Sequence, residues 1–239
     1  MSLLKACLNG ARTRADHPAV PQTPEELARD AEAVVTAGAQ ALHVHARDAA
    51  GAPTLEATHC GAALRAIRRA SPGVLVGLTT IARIEPDPAR RIAMVRAWTE
   101  RPDFASVNWS EPGAEDLARA LLDMDVAVEA GIWTFDDAER FAASAVAPLC
   151  LRALVEPLEP DATESLATAR RVVDRLRYRG VRLPLVVHGR GRATWPVLRD
   201  AIARGHGIRV GLEDTLHLPD GRVARVNAEL VAAARSQRQ

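Results

Sequence analysis

Along the chain, short runs of Val, Leu, Ile and Ala recur, and each is followed by a longer stretch in which apolar residues return every three or four positions. The short runs predict strands over Leu3–Leu8, Ala41–Val44, Val74–Leu78, Phe104–Val107, Val126–Val128, Leu149–Val155, Leu185–Val187 and Ile208–Leu212. The stretches between them predict helices over Thr23–Ala37, Ala57–Ala70, Pro88–Thr99, Ala114–Leu122, Phe135–Ala145, Thr163–Tyr178, Thr194–Arg204 and Asn227–Ala234. The first helix is signalled at both ends. Thr23-Pro24 with Glu26 three residues after the cap makes a capping box, and Gly38 stops the helix. Strict alternation makes the strands parallel and the helices crossovers, so eight units in 239 residues predict an α/β fold, a (β/α)8 TIM barrel forming a single domain over residues 1–239. A doubly wound open sheet is the runner-up. It loses support because no GxGxxG follows the first strand and no GxxxxGK[ST] occurs anywhere.

Composition narrows the class further. With 48% apolar and 26% charged residues the chain is an ordinary globule, and disorder as the main state is excluded. Lys and Arg number 31 against 30 Asp and Glu, so bulk charge gives no reason to expect nucleic acid or an anionic membrane as a partner. Three scattered cysteines, Cys7, Cys60 and Cys150, fit neither a disulfide framework nor a thiolate zinc finger and point to a reducing compartment. No apolar run approaches the roughly 20 residues a bilayer requires, and the first residues do not read as a signal peptide. A soluble, cytoplasmic protein is expected.

In such a barrel the chemistry gathers at the carboxyl ends of the strands. Those ends carry Asn9, His43 with His45, Thr79, Asn108, Glu129, Glu156, His188, and Arg209 with Glu213 and Asp214. The two-residue period of a strand puts both imidazoles of His43 and His45 on one face, where they can share a metal ion or simply be half-buried histidines bonded to neighbours. Arg209, Gly211 and Glu213 share one face of the last strand, which in a closed barrel lies beside the first, with the His43 strand on its other side. Two histidines and one carboxylate leave a fourth position open, the pattern of a catalytic rather than a structural zinc site. Asp214 is then a general base or an anchor for a histidine ring. Arg209 offers a planar fork for a carboxylate, with a plain salt bridge to Asp214 as the alternative. In His188-Gly189-Arg190-Gly191-Arg192, after the seventh strand, Arg190 and Arg192 are candidates to hold a phosphate, although a solvated basic loop is the preferred reading of these residues by themselves. His17, His59, His206 and His217 are read as surface or capping residues. Trp98, Trp133 and Trp195 are expected to pack helices onto the barrel and Trp109 to line the pocket.

The motifs Leu8-Asn9-Gly10-Ala11, His43-Val44-His45-Ala46-Arg47-Asp48, Arg209-Val210-Gly211-Leu212-Glu213-Asp214 and Asn227-Ala228-Glu229-Leu230-Val231, in this order, make the chain similar nearly end to end to the β-keto acid cleavage enzymes. The founding activity of that family is 3-keto-5-aminohexanoate cleavage. The resemblance implies a zinc-bearing barrel that converts a β-keto acid and acetyl-CoA into acetoacetate and a new CoA ester. It implies that His43, His45 and Glu213 hold the zinc, that Asp214 removes the α-proton and that Arg209 assists at the carboxylate or the leaving group. Ser106, Asn108 and Glu129 fall where the family places pocket residues, and Thr79 joins them as a candidate. The chain departs from the family at Arg12, where better-known members carry Glu, and at Leu78-Thr79-Thr80-Ile81, where they carry a Ser-Thr-Gly-Gly stretch. After strand six, Glu156-Pro157-Leu158-Glu159-Pro160 replaces a Gly-rich loop. The expected partners are a small β-keto acid, acetyl-CoA and further copies of the chain. A zinc hydrolase of a small carboxylate and an inactive carboxylate-binding barrel are the alternatives.

Overall fold

The computed structural model describes residues 2–238, and within them every predicted strand and helix forms, most with shifted ends. In chain order these are β1 (Leu4–Cys7), α1 (Pro24–Ala37), β2 (Ala41–Val44), α2 (Ala57–Ala70), β3 (Leu75–Thr79), α3 (Pro88–Arg96), β4 (Phe104–Asn108), α4 (Ala114–Leu122), β5 (Ala127–Ile132), α5 (Phe135–Ala143), β6 (Arg152–Val155), α6 (Ala162–Tyr178), β7 (Leu185–Val187), α7 (Thr194–Ala203), β8 (Gly207–Val210) and α8 (Asn227–Ser236). Every neighbouring pair of strands is parallel, and β8 returns to β1 with Leu4 opposite Ile208 and Lys5 opposite Arg209. The sheet is therefore a closed (β/α)8 barrel, as the alternation predicts.

The caps form as the side chains dictate. Thr23 accepts from the Glu26 N–H while the Glu26 side chain reaches back to the cap, and Gly38 adopts the left-handed C-cap at φ 117°. Strand alternation then divides the residues between two layers. Leu4, Ala6, Leu42, Val44, Val76, Leu78, Ala105 and Val107 are buried under the helices and form the apolar layer between sheet and helix ring. The alternate positions face the lumen, and there the composition is ionic.

At the amino-terminal end of the lumen Lys5, Glu129 and Arg152 form one cluster. Glu129 receives both Lys5 Nζ and Arg152 Nε, and all three side chains are buried. The Phe104 ring lies under both cations, 5.9 Å from Lys5 Nζ and 4.3 Å from the Arg152 guanidinium carbon. Gly77 makes room for it, since a Cβ at that position would stand 2.1 Å from the ring. Burial opposes the Glu129 charge, but the two cations outweigh it and hold the carboxyl well below its ordinary range.

Asn227, at the start of α8, closes the seam between first and last strands. It accepts from Leu212 N–H (2.6 Å) and donates to Leu8 O (2.8 Å) and to Asp30 Oδ2 (2.7 Å). Burial pushes the Asp30 carboxyl up to about 7, opposed only by the Asn227 bond. A carboxyl whose pKa is raised on folding contributes stability that is complete below its unfolded value near 4 and is lost as pH rises through 7. Asp30→Asn should therefore flatten the fall in stability between pH 4 and 8, leaving the variant about 1–3 kcal/mol more stable than the parent at pH 8. Urea unfolding at both pH values reads this directly. An unchanged pH slope would refute the assignment.

Candidate metal centre

The carboxyl ends of β2 and β8 flank β1, which brings three of the predicted residues to one point. His43 lies on β2 and His45 just beyond it, and Nε2 of the two rings approach to 3.3 Å with the rings at 78°. Glu213, three residues past the end of β8, places Oε2 3.9 Å from His43 Nε2 and Oε1 3.7 Å from His45 Nε2. The turn at Gly10 allows this approach: its φ is +55°, and a Cβ there would stand 2.4 Å from Glu213 Cγ.

The sequence motifs hold these ligands from behind. Asn9 is fully buried, accepts from the His45 N–H (3.0 Å) and donates to the His45 carbonyl (2.9 Å), so the second histidine is fixed through its backbone. Arg47 donates to Gly10 O (3.0 Å) and Gly51 O (2.9 Å), and Asp48 caps the turn through the N–H groups of Ala50 and Ala52. The Arg-Asp half of the histidine motif is thus scaffolding.

The donor set fits a divalent ion. Glu213 Oε2 is buried and lacks a hydrogen-bond partner, and Nε2 of both rings stands within 4 Å of that carboxylate. Three ligands about 2.1 Å from a common tetrahedral ion stand about 3.4 Å apart, close to the separations of 3.3, 3.7 and 3.9 Å found here. Burial, with Arg209 nearby and despite Glu213, pushes the His43 imidazole down to about 3, so it is neutral with a lone pair available at ordinary pH. Burial opposes the Glu213 charge, yet Arg209 and the two histidines hold its carboxyl well below the usual range.

Arg209 joins the triad to the rest of the cavity. Its Nε meets Asp214 Oδ2 at 3.1 Å, and its Nη2 reaches Asp214 Oδ1 (2.8 Å) and Glu213 Oε1 (2.5 Å). Its Nη1 stands 3.8 Å from Glu156 Oε2. Burial opposes this cation, but the surrounding carboxylates raise its pKa further. His188, fully buried, lies between two carboxylates, with Nε2 3.3 Å from Glu156 Oε2 and Nδ1 3.6 Å from Asp214 Oδ1. Burial works against the Glu156 charge, while His188, Arg209 and Arg190 bring that carboxyl down to about 2.

The cavity above the triad is lined by His43, His45, Thr79, Ser106, Asn108, Arg209 and Glu213 among the predicted residues, and by Arg190 from the loop after β7. Four expectations need correction. Glu129 is absent from the lining: β5 runs on to Ile132, so Glu129 is mid-strand and spends both oxygens on Lys5 and Arg152. Arg192 is exposed and also outside it, because the loop turns away after Arg190. Asp214 is enclosed behind Arg209. Trp109 and Trp133 exchange places, since Asn108 faces the lumen and alternation turns Trp109 outward onto Phe141 (ring centroids 4.7 Å), whereas Trp133 lines the cavity. Trp98 and Trp195 pack as expected and donate to Leu55 O and His217 O. The lining also includes Glu156, Leu154, Leu158, Ile81 and Arg83. Glu156 is among the polar strand ends that the sequence marks, and period-two alternation along β6 is the signal that could have assigned Leu154 with it.

A family model described as beta-keto acid cleavage enzyme matches residues 2–238. A 3-keto-5-aminohexanoate cleavage enzyme of Fusobacterium nucleatum subsp. nucleatum is 28% identical over 247 residues, covering 96% of this chain and 88% of the relative. A 3-oxoadipate:acetyl-CoA acetyltransferase of Cupriavidus necator is 27% identical over 255 residues, covering 96% of this chain and 86% of the relative. Among solved structures, apo ObcA superposes with a TM-score of 0.72 at 18% identity, over 92% of this chain and 62% of that one, which is a likeness of fold. No helix among the described residues is long and apolar enough to cross a membrane.

His43→Ala should abolish most metal binding while the circular dichroism spectrum and cooperative unfolding persist, because the sheet–helix core is independent of the triad. Elemental analysis after loading reads the outcome. Full occupancy in the variant would refute the ligand assignment.

Proposed function

We propose a reaction for this chain on the premise that it belongs to the beta-keto acid cleavage enzyme family: a β-keto acid and acetyl-CoA give acetoacetate and a new CoA ester. The observation that carries the reading is the convergence of His43, His45 and Glu213 beside a guanidinium held in fixed orientation by Asp214. His43, His45 and Glu213 would hold a zinc ion, which when bound polarises the keto and carboxylate oxygens and acidifies the carbon between them. The names of the relatives support the acid and the thioester as substrates.

The remaining work belongs to the side chains. Arg209 presents the fork that a carboxylate accepts in two parallel hydrogen bonds. In the ligand-free geometry that fork is occupied by Asp214, which lies behind it and out of the cavity. An incoming substrate carboxylate competes for the guanidinium, and as Arg209 changes partner Asp214 is uncovered beside the α-carbon and takes the proton. Thr79, Ser106 and Asn108, on the opposite side of the cavity from Glu213, supply hydroxyl and amide groups to the oxygens of the acid and thioester. Glu156, held ionised, fixes Arg190 through a 3.3 Å contact and keeps that guanidinium over the mouth for a CoA phosphate.

Asp214→Asn should retain metal yet lower kcat by about 10²- to 10⁴-fold, because the amide cannot accept the proton. Retention of more than roughly a third of the parent rate at saturating substrate would reduce Asp214 to an anchor for Arg209.

A panel of β-keto acids, each assayed with and without acetyl-CoA, tests the reaction itself. Acetoacetate and a new thioester should form only with both substrates. Replacing Arg190 and Arg192 together by Ala should raise the acetyl-CoA KM roughly tenfold or more, with Arg190→Ala alone giving most of the effect. Turnover without any thioester would favour hydrolysis, and an unchanged acetyl-CoA KM would place the CoA elsewhere.

A further inference from the structure

The cavity is lined by three guanidinium groups, Arg83, Arg190 and Arg209, and by two carboxylates, Glu156 and Glu213, with Asp214 completing the set behind Arg209. These fixed charges cancel. Arg209 and Arg190 are engaged with those carboxylates, whereas Arg83 has no ion pair or side-chain hydrogen bond among the described residues.

Its backbone, however, is held in place. The turn after β3 that carries Arg83 is pinned on both sides: the Ala82 N–H donates to Glu111 Oε2 at 2.9 Å, and the Ile84 N–H donates to Ile81 O at 3.0 Å. Glu111 is itself fixed, accepting from Asn108 Nδ2 at 3.0 Å and facing Arg91 Nη1 at 3.6 Å. Arg83 is exposed, so its side chain, on a fixed turn at the cavity wall, is accessible to an anion that arrives from solution.

Position around the ring supplies the rest. The order β3, β2, β1, β8, β7 places Arg83 on one flank of the metal ligands and Arg190 on the other. The cavity thus has a cation on each side of the triad, and the proposed reaction brings two substrates to it. Arg190 is reserved for the thioester in that proposal. A divalent ion on the triad would add two positive charges, and a simple β-keto acid brings one negative charge. Proton transfer to Asp214 moves charge within the site and leaves this imbalance unchanged.

We infer that Arg83 binds a second anionic group at the far end of the acid, so that the preferred substrates are β-keto acids carrying a carboxylate or comparable anion on the tail. The inference rests on the proposed reaction only for the word substrate. The subsite itself can be tested without turnover.

The test uses calorimetry on metal-loaded and metal-free full-length chain with unreactive saturated acids, a five-carbon dicarboxylate (glutarate) against a four-carbon monocarboxylate (butyrate), followed by kinetics where turnover is found. The parent protein should bind the dicarboxylate at least tenfold more tightly. Arg83→Gln should erase most of that preference, Arg83→Lys should restore part of it, and Arg83→Glu should reverse it. The acetyl-CoA KM should stay within about threefold in all three variants. A parent protein without the preference overturns the inference, as does a preference that survives Arg83→Gln. A loss that falls on acetyl-CoA instead assigns the anion to a CoA phosphate and overturns it as well. Preference for the dicarboxylate in a protein that turns over no β-keto acid would uphold the subsite and refute the reaction.

Discussion

The site depends on one buried cation. Arg209 is only 2% exposed and stands among three carboxylates, Asp214, Glu213 and Glu156. Removing it would leave three acids in a space that desolvates them, and the cost of an uncompensated buried charge is several kcal/mol. Each acid has a second commitment: Glu213 to the two histidines, Asp214 to His188, and Glu156 to His188 and Arg190. The guanidinium therefore couples the ligand triad, the enclosed acid and the mouth of the cavity into one network, within which no pair has an energy of its own.

Lumen chemistry of this kind inverts the usual sequence signal, which explains what could and could not be read from the chain. His43, His45 and Glu213 were legible because alternation is local and because a closed barrel fixes which strands are neighbours. The end of β5 was not. A polar residue after Val126–Val128 reads as a strand meeting solvent, but Glu129 is inside an ionic lumen, and the strand continues for three more residues to Ile132. From that one boundary follow the displacement of Glu129 from the cavity and the unforeseen place of Trp133 in it. Burial of Asp214 was illegible for a different reason, since it arises from side chains of three strands meeting in space.

The two ends of the lumen divide stability from chemistry. At the amino-terminal end Glu129 commits both oxygens to Lys5 and Arg152 over Phe104, and this cluster acts as a floor beneath the cavity. At the carboxyl end several buried polar atoms lack partners, among them Glu213 Oε2 and ring nitrogens of His43, His45 and His188. Unpartnered polar atoms in a folded core are costly, and a fold keeps them together when a ligand completes them. Glu213 Oε2, beside the convergent Nε2 atoms of His43 and His45, is the orphan that stands where a ligand would complete it.

Filling has to occur in more than one kind of charge. A cation on the triad would engage Glu213 and Nε2 of both histidines but leave Arg83 free and Arg190 half engaged, and an anion alone would leave the triad open. Ion and acid should therefore bind cooperatively, since each reduces the unfavourable field the other would meet in a cavity of low effective dielectric. The same coupling makes Arg209 responsive. In this structure its fork is committed to Asp214, so under the proposed reaction a substrate carboxylate would reach it by exchange, and substrate binding and the uncovering of Asp214 would be one event.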